Sequence, residues 1–169
     1  KSIIKNILRS EDTNATIDAC KNFGVEIDDV GNDITVTSAN ELKIKSNTID
    51  AANSGTTIRI AAAIASLAND QITLTGDSSL KKRPMQPLLD ALESLGAQCN
   101  SSSGNPPISV KGRTKGGKVK IPGNISSQFI SALMIIAPKL EGGLTIDIDG
   151  KLVSKPYIDA TITTMKKFG

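Results

Sequence analysis

The sequence predicts an α/β (α+β) domain assembled from a repeated unit. Three observations predict it: a Gly-terminated amphipathic helix that recurs, strand pairs that follow it, and two helices entered through Ser, Thr, Asn and Gly. The recurring segments are ATIDACKNFG, PLLDALESLG and ATITTMKKFG, ending at Gly24, Gly96 and Gly169, with the glycines 72 and 73 residues apart. One such match is chance, but three at a near-constant interval mark a repeat. A length of 169 residues suits one domain able to bury a real core.

Each recurring segment carries apolar residues at helical spacing: Ile17, Cys20 and Phe23, then Leu89, Leu92 and Leu95, then Ile162, Met165 and Phe168. Each ends in a Gly of the kind that stops a helix in a left-handed conformation. After Gly24 come VEIDDV and ITVTS, and after Gly96 come AQCNS and ISVKG, read as strands joined by turns holding Asn or Gly. LKIKS and KVKIPG are expected strands leading into the helices NSGTTIRIAAAIASLA and NISSQFISALMIIAP. ITLTGD and LTIDIDG are the next expected strands. The repeats divide at roughly 1–38, 39–111 and 112–169. Gly55 precedes Gly96 by 41 residues and Ser127 precedes Gly169 by 42, so an equivalent first helix would start roughly 18 residues before Lys1. The first repeat is therefore expected to be incomplete, and the chain to be a fragment.

Composition removes whole classes of chemistry. There is no His, so Ser-His-Asp and Cys-His machinery and His-based metal sites are excluded within the chain. Cys20 and Cys99 make neither a metal-ligand spacing nor a disulfide framework. Cys20 aligns with Leu92 and Met165 and reads as a small apolar filler; Cys99 has no basic neighbour to activate it. The apolar stretches around 60–67 and 132–137 are too short to span a bilayer. No secretory signal is visible, and a cytoplasmic setting is expected. A net charge of +3 suits a small anionic ligand and is too weak to argue for nucleic acid.

Helix N-termini present unpaired N–H donors and partial positive charge, so they hold anions. NSGTTIR, ending at Arg59, and ISSQ are two such termini at equivalent repeat positions, and helices running side by side would point both at one face. Gly55 admits a ligand close to the backbone, and Arg59 adds a fork suited to phosphate or carboxylate. LKKRPM places Lys81, Lys82 and Arg83 in a loop before Pro84, where a basic run is otherwise simply solvated. In SKPY, Ser154 stands where a helix cap would, ahead of Pro156 and Tyr157.

Taken together, NSGTTIR at 53–59, GDSSLKKRPM at 76–85, GNISSQFISALMIIAP at 123–138 and LVSKPYID at 152–159 resemble the signature segments of the 5-enolpyruvylshikimate-3-phosphate synthases. SEDT at 10–13 with its following helix is similar too, so the resemblance spans nearly the whole chain. It implies a fold of two similar domains, each of three βαβαββ units, with the site in the cleft between them. It also implies transfer of the enolpyruvyl group of phosphoenolpyruvate to the 5-hydroxyl of shikimate-3-phosphate, with no metal or cofactor. By the same resemblance Ser126, Ser127 and Ser154 would hold the 3-phosphate, while Gln128 and Tyr157 would contact the shikimate ring. Asn53, Gly55, Thr56, Arg59 and Arg83 would form the phosphoenolpyruvate side, with Arg83 the main clamp. The family's upstream Lys-Ser…Arg segment and second domain, which hold further substrate contacts and the proton-transfer groups, have no counterpart here. No catalytic residue is therefore assigned, and the chain alone is expected to be inert. The sister enzymes acting on UDP-N-acetylglucosamine usually carry Cys or Asp in the basic loop; neither lies between Ser78 and Pro87. A non-catalytic anion-binding module is the other alternative.

Overall fold

A computed structural model describes residues 1–38 and 41–169. The expected boundary at 38–39 abuts Ala39 and Asn40, outside the described residues. In chain order the elements are β1 (Ser2–Ile4), α1 (Glu11–Asn22), β2 (Glu26–Val30), β3 (Asp33–Thr37), β4 (Thr48–Asp50), α2 (Gly55–Ala65), β5 (Ile72–Thr75), α3 (Gln86–Ser94), β6 (Gln98–Ser101), β7 (Ile108–Lys111), β8 (Gly117–Pro122), α4 (Ser127–Ile136), β9 (Leu144–Asp149) and α5 (Lys155–Lys167). Short 3-10 turns stand at Leu80–Lys82 and Ala137–Lys139.

Among the described residues three sheets form, in the orders β1-β3-β2, β4-β5-β7-β6 and β8-β9. Their pairing repeats. β4 and β5 run parallel around α2, as β8 and β9 do around α4. β5 pairs antiparallel with β7 and β7 with β6, as β1 pairs with β3 and β3 with β2. Strands with one apolar row close over helices; in β5 and β7, Ile72, Leu74, Ile108 and Val110 turn inward.

The core lies where α2 packs against α4. Ala61, Ala62, Ala63 and Ala65 of α2 are buried together with Phe129, Ala132, Leu133 and Ile136 of α4. The small α2 residues present little bulk, so the helix can lie close to the sheet and to α4. Leu88, Leu89 and Leu92 of α3 cover the other side.

Three sequence expectations need correction. The strand placed at LKIKS is absent: Lys43 and Lys45 donate their backbone N–H groups to the carbonyls of Phe23 and Asn22, satisfying the end of α1, and the strand forms later at Thr48–Asp50. Cys20 is half-buried rather than a full core residue; the neighbouring Ala19 takes the buried place. Phe168, aligned with the buried Leu95, is 72% exposed because no described element packs over it. Ser154, ahead of α5, adopts φ 57° and its side chain makes no cap hydrogen bond, so plain capping, the alternative to a ligand contact there, is not met.

Candidate functional site

The α2 and α4 starts meet side by side. Ser54 caps α2, its Oγ accepting from the Thr57 N–H at 3.2 Å and from Thr57 Oγ1 at 2.8 Å. Thr57 also bonds Thr16 of α1 at 2.7 Å, which ties the α2 start to α1. Ser126 caps α4 by accepting from the Gln128 N–H at 3.2 Å. Gln128 Nε2 donates to Thr56 Oγ1 at 2.9 Å, joining the two helix starts. At the far ends, Ile64 and Leu67 share a cavity wall with Ile135 and Ile136, so the helices are parallel. Their dipoles therefore add at one face.

Two guanidinium groups converge on that face. A Cβ placed on Gly55 would lie 2.7 Å from Nη1 of Arg83 and 2.9 Å from Nη1 of Arg59. Arg83 is held by Asn53, whose Oδ1 accepts from its Nη2 at 2.8 Å. Arg59 is only 7% exposed; it donates to the carbonyls of Gly55 and Pro84 and to Gln128 Oε1, and lies 5.0 Å from the centre of the Phe129 ring. Burial first, and the nearby Arg83 charge second, pull the Arg59 guanidinium below its ordinary pKa. Among the described residues neither arginine forms an ion pair with a carboxylate, and Arg59 Nε is buried with no partner.

Two cavities share this centre. One, of about 480 Å³, is lined by Asn53, Ser54, Gly55, Thr56, Arg83 and Gln128, with Ser10, Glu11 and Asp12 from the start of α1 on its remaining side. The second, of about 360 Å³, runs between α2, α4 and α5 and includes Thr56, Ser127, Gln128 and Tyr157. Thr56 and Gln128 line both. The structure thus brings together Asn53, Gly55, Thr56, Arg83, Ser127, Gln128 and Tyr157, with Arg59 behind them. Ser126 serves as a cap and Ser154 is exposed; neither lines these cavities. Ser10, Glu11 and Asp12 had no assigned role from sequence; the SEDT capping pattern was the signal available. Lys81 and Lys82 are exposed and line neither cavity. Among the described residues no group of three or more Cys, Asp or Glu is placed to hold a metal ion, and no helix is long and apolar enough to cross a membrane.

A family model described as EPSP synthase (3-phosphoshikimate 1-carboxyvinyltransferase) matches residues 1–169. The chain belongs to the EPSP synthase family. It is 57% identical over 168 residues to the 3-phosphoshikimate 1-carboxyvinyltransferase of Nitrosopumilus maritimus (strain SCM1), covering 99% of this chain and 40% of that relative. It is 45% identical over 170 residues to the enzyme of the same name from Methanothermobacter thermautotrophicus, again covering 99% and 40%. An EPSP synthase structure from Acinetobacter baumannii superposes with a TM-score of 0.79 at 28% identity, over 90% of this chain and 36% of that one. The enolpyruvyl-transferase fold is therefore shared. The chain spans about 40% of the length of the curated EPSP synthases it matches.

Proposed function

We propose that the chain supplies the shikimate-3-phosphate-binding domain of an enzyme that transfers the enolpyruvyl group of phosphoenolpyruvate to the 5-hydroxyl of shikimate-3-phosphate, releasing phosphate. The observation that carries this reading is the convergence of Arg59 and Arg83 on Gly55, at two adjoining helix starts and without a paired carboxylate. Both substrates are polyanions, and two unneutralised cations beside free helix-start donors suit them. In this reading Arg83, Asn53, Gly55 and Thr56 hold phosphoenolpyruvate, with Arg59 behind them. Ser127 and Gln128 hold shikimate-3-phosphate, Tyr157 lines its ring, and Ser126 and Ser154 add phosphate contacts. Repeats at roughly 1–38, 39–111 and 112–169 make up this domain. A second domain of the complete enzyme supplies proton transfer, a contribution of about 10²–10⁴ in rate. The reading also places the protein in the cytoplasm, where two unpaired thiols persist.

Calorimetric titration of the purified chain with shikimate-3-phosphate tests it, with UDP-N-acetylglucosamine in parallel. Saturable binding of shikimate-3-phosphate alone, weakened more by Ser127→Ala than by Arg83→Ala, is expected. Preference for the nucleotide sugar would overturn the substrate assignment, and binding of neither would overturn the phosphate site as a property of this chain. No turnover is expected from the chain alone; a measurable rate would refute the division of labour between domains.

A further inference from the structure

Arg59 lines neither cavity, whereas Arg83 and Gln128 do. Three of its five N–H groups are taken by the protein, Nη1 donating to Gln128 Oε1 and, at 3.3 Å, to the Gly55 carbonyl and Nη2 to the Pro84 carbonyl at 3.4 Å, while Nε is buried without a partner among the described residues. The Phe129 ring holds the guanidinium from one side. A guanidinium has donors and no acceptor, so only the carbonyl end of the Gln128 amide can face it. The amide nitrogen is then turned toward Thr56, where one N–H is used. The second N–H remains for a ligand, at the place where the two cavities join.

We infer that Arg59 is a positioning residue, which fixes the Gln128 amide so that the cavities are offered an N–H donor rather than a carbonyl. This rests on the reading of Gln128 as a shikimate-3-phosphate contact and deepens it. A direct anion clamp would need its fork open to the ligand, as Arg83's is. Arg59 acts one residue removed, through an amide that carries its polarity to the substrate.

A double-mutant cycle separates the two roles. Arg59→Met keeps an apolar stem against Phe129 and removes every donor. In the parent chain it is expected to raise the calorimetric Kd for shikimate-3-phosphate by about 10- to 100-fold, the range for loss of a charge-assisted hydrogen bond. In a Gln128→Ala background the same substitution is expected to change Kd by less than about twofold. Equal losses in both backgrounds would overturn the inference in favour of direct contact. A second readout needs no ligand. The two Nε2 protons of Gln128, assigned by their disappearance in Gln128→Ala, are expected to show ordered ¹⁵N relaxation in the parent chain and free side-chain motion in Arg59→Met. Unchanged order would refute the positioning role whether or not shikimate-3-phosphate binds. Failure of the parent chain to bind would instead count against the substrate reading alone. Should Arg59→Met fail to fold, Arg59→Lys carries the same cycle and relaxation measurement, with a smaller loss expected because its single ammonium keeps the charge.

Discussion

Gly55 is where the backbone comes closest to both arginines, and it sits at the first turn of α2 without a left-handed φ. A methyl group there would leave the helix geometry intact and push on two guanidiniums. Arg83 faces a cavity and can swing aside; Arg59 is enclosed and cannot. Gly55→Ala is therefore expected to weaken phosphoenolpyruvate or inorganic phosphate binding by about tenfold or more, as a displaced charged contact does. Stability in urea is expected to fall as well, by about 1–3 kcal/mol, because the enclosed Arg59 must shift to admit the methyl group. A large stability loss with unchanged affinity would refute this account. Cys99 gives a second residue-scale expectation. Burial, and then the Glu93 and Asp90 carboxylates, push its thiol up to about 12, and burial raises Cys20 in the same direction. Thiolate is the reactive form, so at pH 8 neither should react with a disulfide reagent until the chain unfolds; rapid labelling of folded protein would contradict this. The two helix starts around Gly55 and Ser127 were legible in the sequence because their residue types are local, whereas the roles of Arg83 and Gln128 came only from the resemblance, since a basic loop by itself reads as solvated. The bond between Arg59 and Gln128 was not legible, because it spans 69 positions and exists only where two helices lie side by side.

At the scale of elements, α2 bears the packing. Four of its alanines are buried against strands on one side and α4 on the other, and Ala62 is wholly enclosed. Their small size sets the spacing between α2 and α4, and with it the reach of Gln128 to Thr56. Ala62→Leu is expected to destabilise the chain by about 1–3 kcal/mol in urea unfolding, the usual penalty of overpacking. It should weaken shikimate-3-phosphate binding as well, by parting the helix starts. Loss of stability with undiminished binding would show that the starts are held independently, by the Ser54 and Thr57 network. The repeat was legible in the sequence because each Gly-terminated helix carries its own apolar spacing and stop signal. The strand at Thr48–Asp50 was missed because LKIKS has the better alternation, and its amides are claimed by the end of α1. At Ser154 the sequence could not show the backbone: a Ser ahead of Lys-Pro also suits a plain cap, but its left-handed φ leaves the side chain without a cap hydrogen bond.

Over the whole molecule, ion pairs among the described residues lie at the surface, while Arg59 is a buried charge without a carboxylate partner. The described ion pairs, Arg9–Asp29, Lys118–Asp147, Lys120–Asp149 and Lys155–Asp159, join partly or well-exposed groups and contribute little. Arg59 is different, buried beside Arg83 with no carboxylate partner among the described residues, and burial and then the Arg83 charge hold its guanidinium below its ordinary pKa. An anion at Gly55 would bring a counter-charge beside both guanidinium groups. An anion that binds only the folded state adds RT ln(1 + [L]/Kd), about 1.4 kcal/mol at ten times Kd. For a chain of this size that corresponds to a rise in Tm of about 3–6 °C. Inorganic phosphate is therefore expected to raise Tm by that amount over sodium chloride of equal ionic strength. The Arg83→Ala chain should lose most of the gain, because one of the two converging cations is gone. Chloride control and variant together distinguish a site from general salting-out, which would raise both proteins alike. An equal rise in the two would place the anion's stabilising effect away from Gly55 and leave the buried Arg59 charge uncompensated by phosphate.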